Sequence, residues 1–397
     1  MTVFNIRSMA ALGAALALAG CGGGGTGGAA ATPEQTTLSA QAALGELIFK
    51  DVSLSASGRQ SCATCHSADT GDAGPNSLAA QFGGALLDQP GRRSSPSIRY
   101  LASNAAFHFD AEGTPTGGFF WDGRAVSLQD QASRPFAAAN EMANANVAEV
   151  IDKLSRATYA AQFKALFGAD IFSRPDDAFN RMTLAIQQFE REDVRLRAFS
   201  SKYDAFLRGS AGLSEQELRG LALFTSADKG NCAACHPSAK ASDGSHPLFT
   251  DFSYDNLGVP RNPELAHNAD PTVFDLGLCA REGGDMSARA DLCGAFKVPS
   301  LRNVALRRVF FHNGRFKTLK DTLTFYVQRD TNPERWYPLN ADGSVHKFDD
   351  LPVQYVANVN TSEAPYNRQP GDAPALSDAE IDDVIAFLQT LTDGYRP

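Results

Sequence analysis

Two stretches of the chain set a histidine directly after a Cys-x-x-Cys pair: Cys62-Ala63-Thr64-Cys65-His66 and Cys232-Ala233-Ala234-Cys235-His236. This spacing suits covalent attachment of a c-type haem. The two thiols add across the vinyl groups, and the following histidine is placed to bind the iron on its proximal face. One such stretch would also fit a thiol redox motif with a stray histidine. Two in a chain with an export-type leader point to two covalently bound c-type haems and to electron-transfer or redox chemistry.

The leader supports an oxidising compartment. Met1 to Arg7 carries one positive charge and Met9 to Ala19 is a short apolar run, too short to span a bilayer as a mature helix. It ends Leu18-Ala19-Gly20-Cys21, which fits a bacterial lipobox with Cys21 lipidated; a plain signal peptide cut near Ala19 is the alternative. Residues 1–21 are thus read as a lipoprotein signal, and 22–38, rich in Gly, Ala and Thr near its start, as a flexible tether. The expected location is periplasmic, with lipid as the one membrane contact. Of the seven cysteines, Cys279 and Cys293 then remain, and in that compartment a disulfide is favoured over a metal site. Closing so short a loop is worth about 3 kcal/mol. The net charge of −9, with no basic cluster, argues against a nucleic-acid partner.

The elements that must position the haems follow one plan used twice. Gly45-Glu46-Leu47-Ile48-Phe49 precedes the first Cys-x-x-Cys-His and Gly220-Leu221-Ala222-Leu223-Phe224 the second. Each reads as an amphipathic helix running into a haem-binding turn. Ser214 with Glu217, and Ser377 with Glu380, are capping boxes; behind the latter Ile381, Val384, Ile385, Leu388 and Leu391 recur at helical spacing. Strand-like alternation is scarce. The expected fold is mainly α, with two cytochrome c-like haem domains at 39–205 and 206–397 joined near Ser200 to Ser214. A long helical stretch runs from Pro175 to Ala198, and long loops run from Ser67 to Pro115 and from Ala241 to Leu292.

Further motifs surround the haem turns. Phe120-Trp121-Asp122-Gly123-Arg124-Ala125 is followed by Ser127 to Ala132, Pro135 and Asn140-Glu141-Met142; the second half carries Phe296 to Val304 and Phe310-Phe311-His312-Asn313-Gly314-Arg315. In this ordered set the chain resembles the bacterial dihaem cytochrome c peroxidase and MauG superfamily, from about Leu44 to Leu391. The segment Phe325 to Pro338 resembles MbnH-type (methanobactin-associated) enzymes more than MauG itself, and a Cys279–Cys293 pair fits the same likeness.

The resemblance implies roles. The N-terminal haem, on His66, meets hydrogen peroxide. Glu141 matches the acid/base position that takes a proton from bound peroxide and returns it to the leaving oxygen. Gln131 matches a distal hydrogen-bonding position, Pro135 a packing position beside it, and Trp121 the tryptophan between the haems. Tyr326 falls where the C-terminal haem, on His236, takes its sixth ligand: methionine in peroxidases, tyrosine in MauG and MbnH. Leu319, Leu323 and Tyr326 share one helical face. Met286 is the methionine alternative. His108 reads as a loop or core histidine, His312 as a hydrogen-bonding residue near the second haem, and Trp336 as a loop anchor rather than a surface relay. A calcium ion between the domains is a further family implication, with Ser94-Ser95-Pro96 and Ala288 to Ala290 where its ligands would lie.

A phenolate is a hard anion and a thioether a soft neutral donor, so tyrosine favours the more oxidised iron. The implied function is therefore a peroxide-driven enzyme that shares a high-valent state over two haems. It oxidises a side chain, most plausibly tryptophan, on a partner such as an MbnP-like copper-binding protein. The alternative is a cytochrome c peroxidase fed by a small cytochrome or copper protein.

Overall fold

In the first helix, α1 (Ala40–Lys50), the Ser39 hydroxyl accepts from the Ala42 N–H and caps the start, while Leu44 and Ile48, one turn apart, are fully buried. The computed structural model describes residues 37–397. The lipobox, Cys21 and most of the expected tether lie outside the described residues. Among the described residues, ten α-helices are joined by 3₁₀ turns and long loops, and the strand content is three antiparallel pairs of two-residue strands. The molecule is thus helical with little sheet, as the scarcity of alternation predicts. Among the described residues no helix is long and apolar enough to cross a membrane.

Two apolar cores are built in the same way. The first gathers residues between Leu44 and Leu196, the second residues between Tyr203 and Leu391. In the first, α1 crosses α6 (Pro175–Glu192); in the second, α8 (Glu215–Thr225) crosses α10 (Asp378–Gln389). Both predicted capping boxes are formed, at Ser214/Glu217 and Ser377/Glu380. Each crossing is seated on a glycine. A Cβ on Gly45 would lie 1.9 Å from the Ala185 carbonyl oxygen, and one on Gly220 would lie 2.0 Å from that of Asp383. Only hydrogen fits at either position.

The expected division after residue 205 falls inside α7 (Lys202–Leu207). The polar run read as a boundary holds a capping box of its own, Ser201 with Asp204, and Tyr203 behind it enters the second core. Residues 193–198 leave the α-helical path as a 3₁₀ turn, Val194–Arg197. Of the long loops, Asp110 to Gly118 is largely the turn of a hairpin pairing His108–Phe109 with Pro115–Thr116. Cys279 and Cys293 form a disulfide.

Candidate active site

Both cysteine–histidine turns present their side chains alike. Cys62 and Cys65 bound a one-turn helix, α2 (Cys62–Cys65), and Cys232–Ala234 is a 3₁₀ turn; all four thiols are free. Burial pushes the thiols of Cys62, Cys232 and Cys235 up to about 12 and that of Cys65 to about 11. Each histidine is oriented through Nδ1, which lies 3.2 Å from the Asp72 carbonyl oxygen for His66 and 2.8 Å from that of Phe249 for His236. Burial pushes both imidazoles down toward the neutral form. A neutral ring that donates from Nδ1 offers Nε2 to a metal, so the site chemistry fits a haem iron on each.

Cys232, Cys235 and His236 open into a large apolar cavity, walled among others by Phe224, Val298, Leu301 and Val304. Its far wall is α9 (Leu319–Gln328), started by the Thr318 cap on Asp321. As the helical spacing predicts, Leu319, Leu323 and Tyr326 all line this cavity. The Tyr326 hydroxyl has no hydrogen-bond partner among the described residues. Burial first, then the neighbouring Cys235 and Cys232, push its pKa up, while the buried guanidinium of Arg329 pulls it down. Met286 packs elsewhere, with Tyr254, Leu278 and Ala295.

Glu141 lines a second cavity with Phe120, Arg124, Arg134, Ala138 and Glu282. Burial pushes its carboxyl up, and Arg124 opposes that shift. The carboxylate is close enough to raise the thiols of Cys65 and Cys62, which places it by the first haem turn. A hairpin holds it there: the Gly84 N–H donates to the Glu141 carbonyl at 2.8 Å, and a Cβ on Gly83 would meet the Glu141 Cα at 2.7 Å. Gln131 and Pro135 are half-buried on the neighbouring segment but are not on this cavity's wall. Arg134, one turn beyond Gln131, does reach that wall, where it donates to Glu282 at 2.6 Å.

Trp121 and Phe120 stand between the two cavities, Trp121 on the wall of the Cys232–His236 cavity and Phe120 on that of the Glu141 cavity. The indole N–H donates to the Ser94 carbonyl at 2.8 Å and the Trp121 carbonyl accepts from the Lys297 N–H at 2.8 Å, which fixes the ring in place. The Ser94 hydroxyl donates to the Phe311 carbonyl at 2.7 Å. His312 lines the large cavity by stacking on Phe296, ring centroids 3.5 Å apart, and its ring makes no hydrogen bond among the described residues. Burial, helped by Arg93 and His267 and opposed by Asp275, pushes it down to about 3 and keeps it neutral. His108 is an exposed hairpin residue. Trp336 anchors its loop against Phe316 and Phe325.

Three charged residues carry no spacing signature in the sequence and emerge only on folding. Arg124 shares the cavity of Glu141. Glu190, fully enclosed on α6 and pushed up to about 8 by burial, acts on the Cys62 thiol with one oxygen unpartnered. Arg307 lines the large cavity.

Residues 39–212 match the family model described as di-haem cytochrome c peroxidase. The chain is 34% identical to the methylamine utilization protein MauG of Paracoccus denitrificans over 386 residues, covering 93% of each chain. The crystal structure of the diheme peroxidase BthA from Burkholderia thailandensis is similar at 40% identity and a TM-score of 0.81, over 89% of this chain and 86% of that one. A MauG-like protein associated with microbial copper homeostasis is similar at 26% identity and a TM-score of 0.61, over 91% and 92%. With paired haem turns, a carboxylate cavity and a tryptophan between them, the chain belongs to the di-haem cytochrome c peroxidase and MauG family, oxidoreductases that act with hydrogen peroxide.

Proposed function

We propose that the protein uses hydrogen peroxide to oxidise a tryptophan side chain on a partner protein, by long-range electron transfer through two haems. The observation that carries this reading is Tyr326: its hydroxyl opens into the cavity of Cys232, Cys235 and His236 with no partner of its own. When bound, the haems supply the two-electron reduction of peroxide and hold the two oxidising equivalents. Cys62, Cys65, Cys232 and Cys235 anchor them as thioethers, and His66 and His236 bind the irons. Glu141 takes a proton at its carboxylate from peroxide and returns it to the departing oxygen, with Arg124 and Arg134 offsetting the charge. Tyr326 supplies the hard anionic donor, and Trp121 relays electrons between the cavities. Likeness to the copper-associated MauG-like protein supports a small MbnP-like copper protein as the partner. The leader supports a periplasmic, lipid-anchored enzyme.

The test is optical and EPR spectroscopy of the fully ferric protein after one equivalent of peroxide, without reductant. Loss of both ferric signals together is expected. Reactivity only after half-reduction would overturn this reading in favour of a cytochrome c peroxidase fed by a donor protein, a reading supported by the likeness to the diheme peroxidase. Tyr326→Met should raise the midpoint potential of the C-terminal haem, because a thioether favours ferrous iron. An unchanged potential would remove Tyr326 from the iron.

A further inference from the structure

Arg307, a half-buried side chain, carries a buried guanidinium edge without a partner among the described residues. Its Nε and Nη2 are both shielded from solvent and neither makes a hydrogen bond. Burial alone acts on its pKa, pushing it down to about 10, and no acidic side chain offsets that cost. The deeply buried arginines are satisfied. Arg302 bonds both Asp204 oxygens at 2.9 Å and the Pro247 carbonyl at 2.8 Å, and Arg329 bonds Asp330 and the carbonyls of Leu257 and Asn360. A buried, unpaired guanidinium is costly enough that its partner is expected to be a group bound in the cavity.

The geometry of the two vacant donors identifies the class of that group. Nε and Nη2 lie on one edge of the guanidinium and point the same way, as a side-on fork. Arg93 uses this same edge on Asp275, with Nε–Oδ2 of 2.6 Å and Nη2–Oδ1 of 2.7 Å. The fork therefore matches a carboxylate held bidentately. Arg307 lines the cavity of Cys232, Cys235 and His236. The other basic chain on that wall, Lys297, already donates to the Gly118 carbonyl at 2.5 Å. The acidic wall residues Asp255 and Glu363 meet Asn360 instead.

We infer that Arg307 is the propionate anchor of the C-terminal haem, gripping one propionate through Nε and Nη2. The inference rests on the haem reading above. The guanidinium carbon lies 6.0 Å from the Trp121 ring centroid. A bare cation there would disfavour a hole on the indole, and the ion pair cancels that charge at the relay.

The test is spectroelectrochemical titration of the intact dihaem protein beside Arg307→Gln and Arg307→Lys, with haem content measured on each. Two haems per chain in the wild type secures the underlying reading; fewer would sink that reading rather than this one. In Arg307→Gln an unneutralised propionate disfavours the reduced iron. The midpoint potential of the C-terminal haem should therefore fall while that of the N-terminal haem stays put, and Arg307→Lys should recover most of the fall. An unchanged C-terminal potential in a fully loaded Gln variant, or a shift at the N-terminal haem alone, would overturn the assignment. If the Gln variant does not accumulate, resonance Raman decides between wild type and Arg307→Lys. The propionate-bending band should shift as a fork is replaced by a point charge, and an unmoved band counts against the anchor.

Discussion

At the scale of single residues, the paired histidines and Glu141 work through opposite uses of burial. Apolar surroundings keep His66 and His236 neutral, as metal ligands must be, yet oppose the ionised form of Glu141 that a general base needs. Arg124 partly restores that form. Glu141→Gln should slow the reaction with peroxide by about 10²–10⁴-fold, read by stopped-flow spectroscopy of the ferric protein. The sign of the pH effect follows from the raised pKa. The wild-type rate should fall as pH drops through a value above the ordinary carboxylate range, and the Gln variant should lose that limb. A pH-independent wild-type rate would count against Glu141 as the base. The two Cys-x-x-Cys-His turns are legible because spacing ties each histidine to its thiols, whereas the roles of Trp121, Glu141 and Tyr326 come from the family resemblance. Arg307 is not legible, since Leu306-Arg307-Arg308-Val309 reads as an ordinary polar step and its missing partner shows only once the chain closes round it. Nor does the motif position of Gln131 reveal that Arg134 reaches the Glu141 cavity from the next turn.

At the scale of elements, the haem turns depend on helix crossings that leave no room for a methyl group. Gly45→Ala and Gly220→Ala each press a Cβ into a backbone carbonyl of the partner helix, so neither strain can be relieved by a rotamer change. Each should destabilise the fold by about 3 kcal/mol, at the upper end for overpacking, measured by guanidinium unfolding. A cost below 1 kcal/mol would mean the helices slide apart freely. These crossings were half legible. The apolar stripes and capping boxes announce the helices, and a glycine opens each motif, but nothing in the sequence pairs Gly45 with Ala185 or Gly220 with Asp383. The loops were legible only as loops, because their 3₁₀ turns and two-residue strands are set by tertiary hydrogen bonds rather than by periodicity.

Across the whole molecule, the two cores are held in register by polar ties. The Tyr100 hydroxyl donates to Asp393 at 2.7 Å and Arg99 to the Asn303 side chain at 3.0 Å. Beneath them Arg302 and Asp204 form an ion pair with no exposed side-chain surface, joined by His246 at 2.6 Å from Asp204. Arg302→Leu strands a buried carboxylate and should cost about 3–5 kcal/mol in chemical unfolding. The double change Arg302→Leu with Asp204→Leu should recover part of that loss, and no recovery would show that the pair is not the source. The twofold plan was visible in the sequence. The join was not, because α7 belongs by packing to the second core although its sequence reads as a polar connector.

The acidity of the four haem-turn thiols bears on how the protein is made. Addition to a vinyl group is fastest from a thiolate, yet in the closed fold these thiols hold their protons to about 11 or 12. Attachment after folding would proceed from a minute ionised fraction of half-buried thiols. On the covalent reading, both ligation events belong to the nascent, unclosed polypeptide, and prosthetic-group loading sets the timetable of biogenesis rather than following it.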